Sequence, residues 1–206
     1  MNGRKLGLAV AAIMSLGLIA AAPAAEARKK VITKTYSVGV GSPAGGVPIT
    51  IPDGAGQATQ LVRVPIKVRG LNPRGKIKDV NVGVRAQHPT AKDLEFYLAS
   101  PRGVINLSHD VGGNGQNYGA GPASCAGIFT TFDSNTPTRI DTPGLQAPFA
   151  GFFAPMENLG ILNGLGGKKA TNASWSLLVE DDDSAGMAGT LYCWTLKIRE
   201  TNPKRN

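Results

Sequence analysis

Two histidines, two cysteines and an aromatic content of 6% are all that 206 residues devote to the side chains from which most active and nucleic-acid sites are built. Neither cysteine belongs to a CxxC pair or has a histidine nearby, so the usual thiol-redox and zinc patterns are excluded. No serine stands in a Gly-x-Ser-x-Gly context, and the Ser108-His109-Asp110 run supplies no separate nucleophile, base and oxyanion donor. Aromatics do not interleave with the basic residues, whose clusters include Arg28-Lys29-Lys30 and Lys204-Arg205, so a base-stacking platform is missing as well. Helical periodicity is absent beyond the first two dozen residues, as is any later apolar run of bilayer length. These absences point away from an enzyme, a specific nucleic-acid binder and a helical membrane protein.

The chain begins with Arg4 and Lys5, an apolar stretch from Leu6 to about Ala22 and the small-residue site Ala25-Glu26-Ala27. That is a secretory layout, with cleavage expected near Ala27 and no membrane span left afterwards. The product is expected outside the cell or in the cell envelope. Taking Arg4, Lys5 and Glu26 from 22 basic and 14 acidic residues leaves a chain near +7, dispersed over the surface. In an exported chain an even cysteine count reads as a disulfide, here Cys125 to Cys193. Closing that loop of about 69 residues stabilises on the order of 4 kcal/mol in the chain-entropy estimate.

What is abundant is turn chemistry: 27 glycines and 14 prolines punctuate short alternating runs. Val62, Val64, Ile66 and Val68 share one face against Arg63, Pro65 and Lys67, with Pro65 marking an edge strand or a bulge. Val80, Val82 and Val84 alternate with Asn81, Gly83 and Arg85, and Leu94, Phe96 and Leu98 form the next inward set. Trp175, Leu177 and Val179 follow, then Tyr192, Trp194, Leu196 and Ile198, so both tryptophans are expected in the core. Shorter strands are expected at residues 31–38, 47–51, 104–107 and 127–132, and an ordered excursion from Thr136 to Gly167. The pattern predicts an all-β sandwich.

Among candidate sites, Asp181, Asp182, Asp183 and Asp110 are hard oxygen donors suited to calcium, the one cofactor the sequence suggests. Asp93 and Asp133 are expected to fix turns by accepting backbone N–H groups. Phe149, Phe152 and Phe153, if exposed, would form a patch for a partner.

Seven pieces in order carry a resemblance to a known family. They are His88-Pro-Thr-Ala-Lys-Asp93-Leu94, Leu98-Ala-Ser100-Pro101-Arg-Gly103, Thr131-Phe132-Asp133 and Pro148-Phe149-Ala-Gly151-Phe-Phe-Ala-Pro155, then Leu162-Asn163-Gly164, Trp175-Ser-Leu-Leu-Val179-Glu-Asp181 and Gly189-Thr-Leu191-Tyr-Cys-Trp194-Thr-Leu196-Lys-Ile198. Together they resemble the P-domain, or Homo B domain, that follows the catalytic domain in kexin- and furin-type, subtilisin-like proprotein convertases. The resemblance implies a jelly-roll sandwich of about eight antiparallel strands over residues 47–199, after an N-terminal strand and lead-in at 28–46 and before a polar tail at 200–206. It also implies that His88 belongs to the framework. In convertases the domain stabilises the catalytic domain and influences its calcium and pH dependence. The expectation is a secreted, free-standing, non-catalytic module that binds a protein partner or an envelope component; a calcium-dependent carbohydrate- or surface-binding jelly roll is the alternative.

Overall fold

The computed structural model describes residues 30–54, 60–183 and 186–202; the expected leader and the last residues of the expected tail lie outside them. Among the described residues ten strands form two sheets. They are β1 (Lys30–Gly39), β2 (Ile49–Ile51), β3 (Val62–Ile66), β4 (Ile77–Gln87), β5 (Leu94–Ser100), β6 (Gly103–Ser108), β7 (Thr130–Phe132), β8 (Gly151–Phe153), β9 (Trp175–Asp181) and β10 (Gly189–Asn202). The larger sheet runs β1-β10-β4-β7-β8 with β2 also on β10, and the smaller runs β3-β9-β5-β6. All pairings are antiparallel except β7 with β8. The count exceeds the expected eight because β2 and β8, of three residues each, pair at the margins.

One core lies between the sheets. Val80, Val82, Val84, Trp194, Leu196 and Ile198 meet Leu94, Phe96, Leu98, Trp175, Leu177 and Val179 in a single buried cluster. Each large apolar side chain buried this way is worth about 1.5–3 kcal/mol relative to exposure, and the period-2 spacing of β-branched residues is what delivers them to one face. β3 is an edge strand, the position in a sheet where a proline such as Pro65 is tolerated. The Trp175 indole N–H donates to Ala170 O at 2.9 Å, from the short helix α1 (Gly167–Thr171).

The strand expected in the lead-in forms, as β1 pairs residue for residue with β10 from Lys30↔Asn202 to Gly39↔Cys193. Two expectations need correction. The polar tail begins later than expected: β10 continues through Asn202, and Glu200 is wholly buried while accepting Asn72 N–H at 2.9 Å. Tyr192 does not follow Trp194 inward, since a register slip between Leu191 and Cys193 buries Leu191 and turns Tyr192 half out, its hydroxyl donating to Gln87 Oε1 at 2.6 Å. Among the described residues no helix is long and apolar enough to cross a membrane.

Candidate functional site

The chemistry-bearing side chains gather at the end of the sandwich where β4 turns into β5 and β9 ends. His88 follows β4 directly and is 1% exposed. Its Nε2 faces two acceptors, Asp181 Oδ2 at 3.0 Å and Met187 O at 2.9 Å, so this nitrogen carries the proton and donates. Nδ1 accepts from Thr90 N–H at 3.1 Å and lies 2.6 Å from Thr90 O. Asp93, also buried, has its carboxylate 3.9 Å from the same ring. His88 thereby ties the β4–β5 turn to the connection between β9 and β10. Burial pushes the Asp181 carboxyl above its ordinary pKa, and His88 pulls against that shift.

Outside this staple lies a second group. A depression of about 200 Å³ is bounded by Lys92, Asp93, Asp110, Asp182 and Asp183. Three of the four calcium candidates, Asp110, Asp182 and Asp183, therefore converge. The fourth, Asp181, is 1% exposed and turned to His88 instead. Glu95 and His109 complete the group: one ligand atom each from Glu95, His109 and Asp110 lies within 4.8 Å of the others. His109 Nδ1 abuts Glu95 Oε1, its Nε2 is 2.9 Å from Asp110 Oδ2, and the Tyr97 hydroxyl donates to Glu95 Oε2.

The electrostatics follow from this crowding. Asp182 is raised, first by burial and then by the Glu95 and Asp110 carboxylates. Burial lowers the His109 pKa, but the Glu95 hydrogen bond and charge, with Asp110 and Asp182, outweigh it and the net shift is upward. Glu95 escaped sequence reasoning because alternation with Leu94 and Phe96 placed it outward, yet it is 3% exposed. The available signal was its i, i+2 relation to Tyr97, which puts both on one face of β5.

The remaining candidates are separate. Asp133 Oδ1 accepts Asn135 N–H at 2.9 Å and its Oδ2 accepts from Asn81 Nδ2 at 3.0 Å. The expected phenylalanine patch does not form. Phe149 is wholly buried between Tyr118 and Phe153, at ring centroid distances of 5.2 and 5.7 Å, which leaves Phe152 as the exposed member of the three. Alternation along β8 turns Phe152 and Phe153 to opposite sides, while Phe149, before the strand, packs with Phe153 and Tyr118. Cys125 and Cys193 are joined, pinning the glycine-rich segment before β7 to β10. The Ser108 hydroxyl shares a hydrogen bond of 2.8 Å with the Tyr118 hydroxyl inside the core, remote in role from its neighbour His109.

No family model and no curated protein matches the chain in sequence. Among solved structures it is similar to the serine protease of Aeromonas sobria in complex with its chaperone ORF2, at 15% identity and a TM-score of 0.33, covering 84% of this chain and 28% of that one. The same protease solved without the chaperone gives 16% identity and a TM-score of 0.34, covering 82% and 27%. The chain thus spans less than a third of the length of those proteins.

Proposed function

We propose that this chain is a secreted, non-catalytic module of the P-domain type, which serves subtilisin-like serine proteases by binding a protein partner. The observation that carries the reading is the His88 staple. It joins the His-Pro-Thr-Ala-Lys-Asp-Leu turn to the Trp-Ser-Leu-Leu-Val-Glu-Asp strand, two pieces of the family resemblance 93 residues apart. It also occupies both ring nitrogens, which suits a framework residue and not a general base. His109 is engaged by two carboxylates, and the hydroxyl nearest in sequence, that of Ser108, is committed to Tyr118.

Two measurements test this reading. The purified chain is expected to resist labelling by a fluorophosphonate and to leave peptide substrates intact. Added to a subtilisin-like catalytic domain from the same secretome that lacks such a module, it is expected to raise the temperature of half-inactivation. Labelling of a serine, or failure to bind or stabilise any such protease, would overturn the proposal.

A second reading, calcium-dependent binding to a surface or carbohydrate, is favoured by the convergence of Asp110, Asp182 and Asp183 beside Glu95 and His109. The carboxylates would supply hard oxygen ligands, and a bound cation would relieve the repulsion that raises Asp182. Calorimetric melting with excess calcium and with chelator separates the readings. A calcium-dependent rise of several degrees, lost in Asp182→Asn, supports the cation site through linkage. Coincident melts leave these aspartates as turn residues.

A further inference from the structure

β4 is buried on both faces, and its outer face carries Arg85, which is 4% exposed. The guanidinium donates from Nη1 to Ile128 O at 3.1 Å and from Nη2 to Gly121 O at 2.9 Å and Pro122 O at 2.5 Å, while Nε–H has no partner. Two glycines clamp it. A Cβ on Gly119 would stand 2.8 Å from Arg85 Cδ, and one on Gly127 would stand 2.6 Å from its Cζ, so neither position has room for a side chain. Among the described residues no carboxylate pairs with Arg85. Burial lowers its pKa, and the titratable group that opposes the shift is the Tyr192 phenol. A buried cation satisfied only by neutral carbonyls keeps its full charge in a place where charge is costly.

A depression of about 180 Å³ opens beside it, lined by Arg85, Gln87, Asn117 and Tyr192 and by the 119–121 backbone. The orientation of the two amides is decided by their partners. Asn117 Oδ1 accepts His88 N–H at 3.1 Å, and Gln87 Oε1 accepts the Tyr192 hydroxyl, so each presents its N–H₂ group as a donor. A guanidinium and two amide donors make a lining that selects for an anionic acceptor. The volume is below the roughly 300–1,000 Å³ typical of drug-sized ligands, and suits a single side chain or chain end.

We propose that this depression is a carboxylate-binding site that takes an acidic side chain or the free C-terminus of a partner polypeptide. The polypeptide nature of the ligand rests on the partner-binding function proposed above; the carboxylate chemistry does not. Such a partner would be drawn by the basic chain, whose formal charge is +8 with the leader included.

The test follows the Arg85 Nε–H resonance by NMR in the purified chain during titration with three blocked peptides. Acetyl-Ala-Glu-Ala-amide has only a side-chain carboxylate, acetyl-Ala-Ala-Ala only a terminal one, and acetyl-Ala-Gln-Ala-amide neither. A saturable shift with either of the first two and none with the third supports the site, and the responding peptide identifies the source of the carboxylate. Silence, or an equal response to all three, overturns it. Because Arg85→Lys can disturb the clamp, Gln87→Glu provides the second arm: it is near-isosteric, exposed, and places a carboxylate in the site itself. Peptide affinity is expected to fall about tenfold or more with an unchanged or higher Tm, whereas parental affinity in Gln87→Glu would refute the assignment. No protease is present in this titration, so its failure leaves the protease-partner reading standing, and failure of protease stabilisation leaves the carboxylate site standing.

Discussion

His88 shows how much one side chain can hold when both of its ring nitrogens are used inside the protein. Its Nε2–H satisfies Asp181, a carboxylate 1% exposed, so removing the imidazole strands a buried acceptor. We expect His88→Ala to cost about 3–5 kcal/mol, the range for breaking a buried pair by deleting one partner. Urea unfolding should show a lower midpoint at constant m; a midpoint within error of the parent would mean that the staple is dispensable. A second residue-scale prediction concerns Asp79. Burial, then the nearby Asp133 carboxylate, raises its pKa, against the pull of Arg199 and Asn135. With a folded pKa above the unfolded value of about 3.9, the stabilising contribution is complete below that value and is lost as pH rises through the folded pKa. Asp79→Asn should therefore flatten the fall of Tm with pH over the acidic range and leave the protein at least as stable at neutral pH. An unchanged slope would exclude Asp79 as its source.

At the scale of elements, β1 and β4 carry the main consequences. β1 is legible as a strand from its Val, Ile and Tyr residues, although Lys, Thr and Ser among them leave it no strong apolar face. Its value lies in the ladder, ten residues paired along β10, and in covering what would otherwise be an open edge. Deleting the chain through Gly39 is expected to abolish cooperative melting and to promote association, visible by circular dichroism and size-exclusion chromatography. A monomeric, cooperatively melting deletion variant would restore the boundary near residue 47. β4 shows the converse. Its valine face was legible from period alone, but Asn81, Gly83 and Arg85 are buried too, because the chain from Gly119 to Asp133 folds back over them.

For the whole molecule, the Cys125–Cys193 bond ties that returning segment to β10 of the larger sheet. The double substitution Cys125→Ala/Cys193→Ala should lose about 2–4 kcal/mol, mostly through a freer unfolded chain. The loss should appear as a lower urea midpoint that added reductant does not lower further. Should the variant and parent coincide, the bond contributes no stability. The same segment forms one wall of the Arg85 depression, so reduction is also expected to weaken carboxylate binding there.

The sequence by itself determined the sandwich, both core tryptophans and the disulfide, and narrowed β3 to an edge or a bulge. Each of these rests on local information: side chains alternate with period 2, proline cannot donate to a ladder, and two cysteines have only one pairing. Only the tertiary structure decided which polar residues meet. Convergence of Asp110, Asp182, Glu95 and His109 depends on how β5, β6 and β9 pair and end, and separation of Phe149 from Phe152 depends on the packing of Phe149 against Tyr118 and Phe153. Burial of Arg85 depends on a segment more than thirty residues away in the chain. Local alternation records which way a side chain leaves its strand; what covers it there is set by long-range pairing, which no window of the sequence contains.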